Sequence, residues 1–396
     1  MTNKNKRTAI LLLCLSLYAC QNKTQKDNTT NDTITASTKL SNKKKTTYPV
    51  KFDKLSKKYT TTKASEVKQF YLDNIKKNGY TGSLLVAQNG QILYEDYSGF
   101  ANKKNGDAIT AETPLHIASV GKVITAVAIM RLIDQDKLHL DQSVSQIIKG
   151  FPHPEITIQS LLSHRSGLRY YGYYSDIWDN TTTITNKDVI EIIKSERVDL
   201  DFRPNSRFSY SNTNYVVLAS IAEQVMNKPF KEVVEELIFA PLEMKDSFVF
   251  DDISKKNDVT QSYKSTYQPM HWDYMDGTYG DKNIYVTPRD FLKFDTALYS
   301  DKFLSAEAKE KMFKGYSFEY KGVRNYGLGF RLMEMNNGET LTYHNGWWRG
   351  NTSSYIRLTK DKVCIILFSN KYSKLTYKTV DLPHYFGDYP VGNIDL

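Results

Sequence analysis

Ser119-Val120-Gly121-Lys122 opens a long apolar run, and it is the first place in this 396-residue chain where chemistry can be read. Residues three apart share one helical face, so the serine hydroxyl and the lysine amine can touch. A hydroxyl is a weak nucleophile without a base beside it. A lysine acts as that base only when neutral, a form that burial or a neighbouring cation favours. The start of a helix adds unpaired N–H groups where an oxyanion would form. The same spacing occurs at Ser41–Lys44, in a polar tract, and at Ser65–Lys68, on an amphipathic helix; only Ser119 begins a run that is apolar nearly all round. Taken alone, the pair also fits an N-cap serine with a lysine reaching out to solvent.

Two further triplets carry chemistry. Tyr210-Ser211-Asn212 offers a phenol that can relay a proton and an amide that can bind both an amine and a carbonyl. His344-Asn345-Gly346 ends a predicted strand, Thr340–Tyr343, and is the only H-x-G in the chain. Its glycine lets a ligand approach the backbone, and the N–H of Trp347 follows. Each has a plainer reading: Tyr and Asn satisfying a loop backbone, and a strand-end turn with a solvated His.

These residues need elements to hold them. The pattern predicts a helix from an N-cap at Ser65 to Gly79, then two strands around Asn89-Gly90, a strong hairpin signal. Ser119 to Lys137 reads as one buried helix. Further helices fit Asp188–Lys194, Tyr215–Met226 and Pro229–Leu237, and another opens at Thr287-Pro288. Thr340–Tyr343, Ser354–Thr359 and Val363–Phe368 read as strands. Strands at both ends and helices between them argue for an α+β fold, one antiparallel sheet built from both chain ends with a helical middle region. A cleft between the two parts is the natural place for a site.

In the order S-x-x-K, Y-x-N, H-x-G the chain resembles the serine hydrolase family of class C β-lactamases, D-alanyl-D-alanine carboxypeptidases and related esterases; S-x-x-K, S-D-N, K-T-G is the sister pattern of class A enzymes and penicillin-binding proteins. Leu161-Leu162-Ser163-His164-Arg165-Ser166-Gly167-Leu168, Phe202–Tyr215, Pro241-Leu242-Glu243-Met244 and Tyr326-Gly327-Leu328-Gly329-Phe330 extend the likeness from about Gly82 to Asn370. The resemblance implies the β-lactamase or penicillin-recognising fold, with Ser119 as the acylated nucleophile and Lys122 and Tyr210 sharing proton transfer. It implies that Asn212 orients Lys122 and substrate, that His344, Asn345 and Gly346 line the substrate, and that the N–H groups of Ser119 and Trp347 form an oxyanion hole. His164 reads as a structural loop residue.

Class C β-lactamases typically carry Lys where this chain has His344, which is more similar to the carboxypeptidase, D-aminopeptidase and esterase branches. Arg349 either supplies the charge that such a lysine would give or stacks on a neighbouring Trp. The tract Tyr170–Tyr174 either walls the cleft or packs as a loop. The expected substrate is a small molecule or peptide, a D-amino-acid peptide or ester ahead of a β-lactam, and the expected protein is a monomer using no cofactor and no metal. The alternative is a non-catalytic or slowly turning-over lipoprotein that binds penicillin or wall peptide.

Composition sets the remaining limits. With 40% hydrophobic and 24% charged residues the chain is globular in type. Residues 1–58 hold 13 Lys and Arg against 3 Asp and Glu, leaving 40 basic and 41 acidic residues in the rest. The net charge of +9 therefore belongs to the N-terminal tract and gives no reason to expect nucleic acid as a partner. Lys4, Lys6 and Arg7 precede a short apolar run ending in Leu17-Tyr18-Ala19-Cys20, which predicts a signal peptide over 1–19. Cys20 resembles the acylated cysteine of a bacterial lipoprotein, which implies export to the cell envelope and a membrane lipid partner through an acyl anchor. A polar tether over 20–62 then leads to a hydrolase domain over 63–396. Cys364 lies in a buried-strand pattern and reads as a core hydrophobe.

Overall fold

The computed structural model describes residues 48–317 and 322–390. The signal peptide, Cys20 and the tether up to residue 47 lie outside the described residues. The rest of the expected tether belongs to the fold. Tyr48 packs edge-on against Phe303 and its hydroxyl receives a hydrogen bond from Arg131, while Phe52 packs against Tyr299. The first helix, α1 (Lys57–Asn74), starts at Ser56, whose Oγ accepts from the Tyr59 N–H at 3.2 Å. An aromatic at 48 and a capping serine at 56 are enough to dock a stretch that its Thr and Lys content made look like a tether.

Seven strands form one antiparallel sheet: β1 (Gly82–Gln88), β2 (Gln91–Ser98), β3 (Arg324–Tyr326), β4 (Arg331–Glu334), β5 (Thr340–Trp348), β6 (Asn351–Leu358) and β7 (Val363–Ser369). Their order is β2-β1-β7-β6-β5-β4-β3, so the two chain ends meet where β1 pairs with β7. Asn89 and Gly90 take positive φ in the β1–β2 turn, as a two-residue hairpin requires. Alternation along β1 sends Leu84 and Val86 to the layer under α1, and Leu85 and Ala87 to the larger core under the helical region. β1, β6 and β7 are buried at every position because the sheet is covered on both faces.

The long helix expected from Ser119 is two pieces, a 3-10 turn over Ala118–Val120 and then α2 (Gly121–Asp134). It stops short of Lys137 because Asp136 takes the left-handed conformation. α2 is buried on nearly all sides, packing on α3 (Thr213–Met226). The helix expected from Pro229 continues as a wide π turn over Glu235–Phe239. α4 (Pro288–Ala297) is capped by Thr287 with Pro in its first turn. After β7, 3-10 segments Lys374–Asp381 and Pro383–Tyr385 close the layer beside α1.

Candidate active site

Ser119 sits in the 3-10 turn that leads into α2, and the residue before it is strained. Ala118 has a φ of 47°, a left-handed value unfavourable for a residue with a side chain. The strain is held by a buried scaffold. Ala118 N–H donates to His116 Nδ1 at 3.0 Å, and the other ring nitrogen lies between Asn283 Oδ1 at 3.0 Å and the Asn283 backbone N–H at 3.3 Å. Asn283 Nδ2 in turn donates to the carbonyls of Asp276 (2.6 Å) and Thr278 (2.9 Å). Burial, with the charge of Arg349 nearby, lowers His116 to about 3, and the ring is neutral.

Lys122 is fully buried. Its amine donates to Ser119 Oγ at 3.0 Å and to the Asp281 carbonyl at 2.7 Å. One turn on, Thr125 Oγ1 donates to the Gly280 carbonyl at 2.7 Å. Residues 276–283 are thus a platform whose backbone carbonyls hold the base and whose Asn283 holds the turn of the nucleophile. Behind it lies a second buried amine, Lys282, which donates to the hydroxyls of Tyr171 and Thr278 and pairs with Asp281 at 3.5 Å. Burial pulls its pKa down.

Tyr210 comes from the loop before α3, and this loop is tied to the segment at His164. Ser209 N–H donates to the His164 carbonyl (2.9 Å) and Ser211 N–H to His164 Nδ1 (3.2 Å). The Tyr210 ring lies 4.2 Å from that of His164, with Lys122 Nζ 5.2 Å and the Arg331 guanidinium 5.1 Å from its centre. The Tyr210 ring thus lies between the Lys122 amine and the Arg331 guanidinium. Asn212, at the N-terminus of α3, lies beside Tyr170, and its Oδ1 is buried without a hydrogen-bond partner.

The third wall is β5. β6 pairs with it from Thr342 to Trp348, but β4 pairs with it only from Thr340 to Tyr343. Beyond Tyr343, one edge of β5 is therefore open. Alternation in an antiparallel ladder directs the N–H and C=O of Tyr343 at β4, and those of Asn345 and Trp347 out over the open edge. Gly346 faces the nucleophile: a Cβ there would lie 2.9 Å from Ser119 N, 2.7 Å from the Ile117 carbonyl and 2.3 Å from Ser353 Oγ. Only glycine lets strand and helix start approach this closely. A cleft of about 300 Å³ runs along the edge, lined by Arg324, Arg331, Tyr343, Asn345, Gly346, Trp347 and Tyr377. Asn345 Oδ1 is a buried acceptor without a partner.

Ser119, Lys122, Tyr210 and Gly346 are thus brought together, with Asn212 two residues beyond Tyr210 and with Asn345 and Trp347 on either side of Gly346. Three expectations change. H-x-G does not end a strand, because β5 continues to Trp348 and the glycine serves close packing rather than a turn. The His344 side chain is fully buried, with Nδ1 on the Asn345 carbonyl at 2.8 Å and Nε2 on the Tyr326 hydroxyl at 3.3 Å, so it lines no cleft. Arg349 sits in the hairpin turn after β5, buried over Trp272 at 4.3 Å and paired with Asp276 at 3.2 Å, and it brings no charge to the crevice.

Arg331 does bring one, and the sequence reading missed it. It directly follows the run Tyr326–Phe330, and no local spacing links it to the other motifs. The tyrosine tract divides: Tyr171 and Tyr174 are buried, Tyr170 reaches Asn212, and Tyr173 is exposed. Cys364 is a buried free thiol in β7, as its pattern suggested. Among the described residues no group of three or more His, Cys, Asp or Glu is arranged to hold a metal ion.

A serine hydroxyl bonded by a buried lysine amine at 3.0 Å, set between a helical region and an open sheet edge, is the arrangement of a serine hydrolase. The Beta-lactamase family matches residues 73–386, and the chain belongs to that family. It is 28% identical over 319 residues to a penicillin-binding protein of Bacillus subtilis (strain 168), covering 76% of this chain and 71% of that one. A D-aminopeptidase of Brucella anthropi is 24% identical over 287 residues, which span 69% of this chain and 52% of the relative. The crystal structure of a penicillin binding protein from Bacillus halodurans shares the fold with a TM-score of 0.69 at 22% identity, over 84% of this chain and all of the other.

Proposed function

We propose that this serine hydrolase cleaves a peptide or amide of a D-amino acid, preferably one ending in a free carboxylate, through an acyl-enzyme on Ser119. Lys122 takes the Ser119 proton as Oγ attacks the carbonyl carbon. Tyr210 passes a proton to the departing amine as the C–N bond breaks. The N–H groups of Ser119 and Trp347 receive the oxyanion, and Asn212 Oδ1 receives a substrate N–H. Water then attacks the ester and gives its proton to the Tyr210 oxygen, and Lys122 returns the proton it took to Oγ as the acid leaves.

The observation that carries this reading is the 3.0 Å contact of the Lys122 amine with Ser119 Oγ beside an unpaired strand edge. An extended peptide can add to such an edge by main-chain hydrogen bonds. Arg331, lining the same cleft, favours a carboxylate at one end of the substrate. The unpartnered side-chain Oδ1 atoms of Asn212 and Asn345 favour amides, which offer N–H donors, over simple esters. The names of the relatives support the D configuration.

The test is turnover of a D-Ala-D-Ala peptide, a D-amino-acid amide, an aryl ester and a chromogenic cephalosporin, with labelling by an active-site serine probe. The carboxylate-terminated peptide is expected to give the highest kcat/KM, and Ser119→Ala to abolish labelling. Labelling of that variant at the wild-type level would overturn the nucleophile, and turnover confined to the ester would overturn the substrate class. We further propose export and anchoring through an acylated Cys20, which the basic residues and apolar run before it support. Cys20→Ser is expected to lose palmitate incorporation and to leave the membrane fraction.

A further inference from the structure

Two of the seven histidines are joined by one tyrosine in a buried chain, and its proton positions follow from groups whose roles are not open to choice. His164 Nδ1 receives the backbone N–H of Ser211 at 3.2 Å and the Asn214 side-chain amide at 3.0 Å. A backbone N–H can only donate, so His164 Nδ1 is bare and its proton is on Nε2. Nε2 lies 3.2 Å from the Tyr326 hydroxyl and donates to it. At the other end, His344 Nδ1 lies 2.8 Å from the Asn345 carbonyl. A carbonyl can only accept, so His344 is protonated on Nδ1 and bare on Nε2. The Tyr326 hydroxyl, 3.3 Å from His344 Nε2, supplies the proton that this nitrogen accepts. The two ends are thus fixed by backbone groups, and the Tyr326 hydroxyl between them also meets the Tyr215 hydroxyl, which donates to the Leu162 carbonyl at 3.0 Å.

The chain also connects what the mechanism needs connected. Ser211 is the residue between Tyr210 and Asn212, and Asn345 precedes the Gly346–Trp347 corner. His164 carries the Tyr210 ring at 4.2 Å and holds a left-handed φ of 57°, a strain that the surrounding bonds must sustain. All three side chains are buried. The groups facing the two imidazoles are cationic or neutral: Lys122 and Arg331 act on both, Tyr210 lies beside both, and Phe208 and Tyr215 pack on His164. No carboxylate among the described residues bonds either ring, and burial with those cations holds both well below the usual imidazole range.

We infer that His164, Tyr326 and His344 are positioning residues, a chain of fixed proton order that sets the Tyr210 loop against the open edge of β5, and that His344 acts through this chain rather than on substrate. The inference rests on the reading of Ser119 as nucleophile for its kinetic consequence, but not for its proton order.

The experiment has two arms. In 15N-imidazole spectra of the wild-type chain, His344 is expected as the Nδ1–H tautomer and His164 as the Nε2–H tautomer, both neutral and unmoved between pH 8 and pH 5.5. A cationic His344, or an Nε2–H His344, would overturn the proposal, and this arm needs no variant to fold. In the second arm, Tyr326→Phe is expected to slow acylation by at least tenfold with KM changed less than threefold, while probe labelling of Ser119 still reaches completion. A folded Tyr326→Phe protein acylated at the wild-type rate would refute the positioning role and leave the nucleophile untouched. Labelling of Ser119→Ala would refute the nucleophile and leave the tautomers untouched.

Discussion

The two walls of the crevice are built on opposite terms. On the helical side the groups that hold the nucleophile are saturated: Lys122 is bonded to Ser119 and Asp281, His116 to Ala118 and Asn283, Thr125 to Gly280. On the strand side the groups that would meet a substrate are left wanting. β5 loses its partner strand after Tyr343, the side-chain carbonyl of Asn345 has no donor, and Trp347 is 62% exposed. Each buried unpaired polar group costs roughly 1–3 kcal/mol. A fold tolerates that where a ligand supplies the missing bond, and rigid bonding on the other wall keeps the nucleophile in place meanwhile.

The contrast breaks most sharply where the walls touch. Gly346→Ala puts a methyl group 2.9 Å from Ser119 N and 2.7 Å from the Ile117 carbonyl, both backbone atoms that cannot rotate away. Strand and helix start must separate, and the oxyanion donors separate with them. The expected loss of kcat/KM is about 10²-fold or more, in line with removal of one oxyanion donor. Overpacking should also cost about 1–3 kcal/mol of stability. Steady-state kinetics with a thermal melt check both; wild-type kinetics in the variant would show that the approach at Gly346 does not set the geometry.

What is legible in the sequence is local: the apolar run after Ser119, the Asn89-Gly90 hairpin and the Thr287 cap, whereas the bonds of Lys122, Thr125 and His116 to residues 280–283 span 155 to 167 positions. The strand wall depends on pairings across long sequence distances. Arg331 becomes a site residue only because β4 pairs Arg331 with Tyr343. Arg349 stood close to H-x-G in sequence and was read into the site, but strand and hairpin turn carry it toward Asp276. Asp281 holds Lys122 through a backbone carbonyl, a role for which no side chain leaves a signal. The apolar pattern predicts a strand ending at Tyr343, whereas β5 runs on to Trp348 and the glycine lets it pack against the turn of the nucleophile.

A smaller effect sharpens the unsaturated side. Arg331→Gln removes a cation from the cleft while keeping a polar side chain there. A charge-assisted bond contributes about 1.5–3 kcal/mol, so kcat/KM for a carboxylate-terminated peptide should fall at least about tenfold relative to the same peptide amidated. Comparing the two substrates cancels any shift of Tyr210, which Arg331 also touches. An equal loss on both substrates would assign Arg331 to the proton-transfer wall instead.

The smallest signal lies in the saturated wall itself and is read by pH. His116 is neutral when folded, with its pKa lowered to about 3, whereas in the unfolded chain it titrates near 6.5. Above about pH 6.5 neither state binds the proton, and the histidine leaves stability unchanged. As pH falls below that value the unfolded chain takes up a proton that the folded one refuses, so stability declines by up to about 1.4 kcal/mol per pH unit for this group. The decline continues until the folded ring titrates near 3. His116→Gln can accept from Ala118 N–H and donate to Asn283 without titrating. Its unfolding free energy should therefore fall less steeply than wild type between pH 6 and pH 4, by roughly one proton. Equal slopes would mean that His116 charges in the folded protein. The bonds to Ala118 and Asn283 would then not be those of a neutral ring, and the helical wall would be less saturated than its geometry requires.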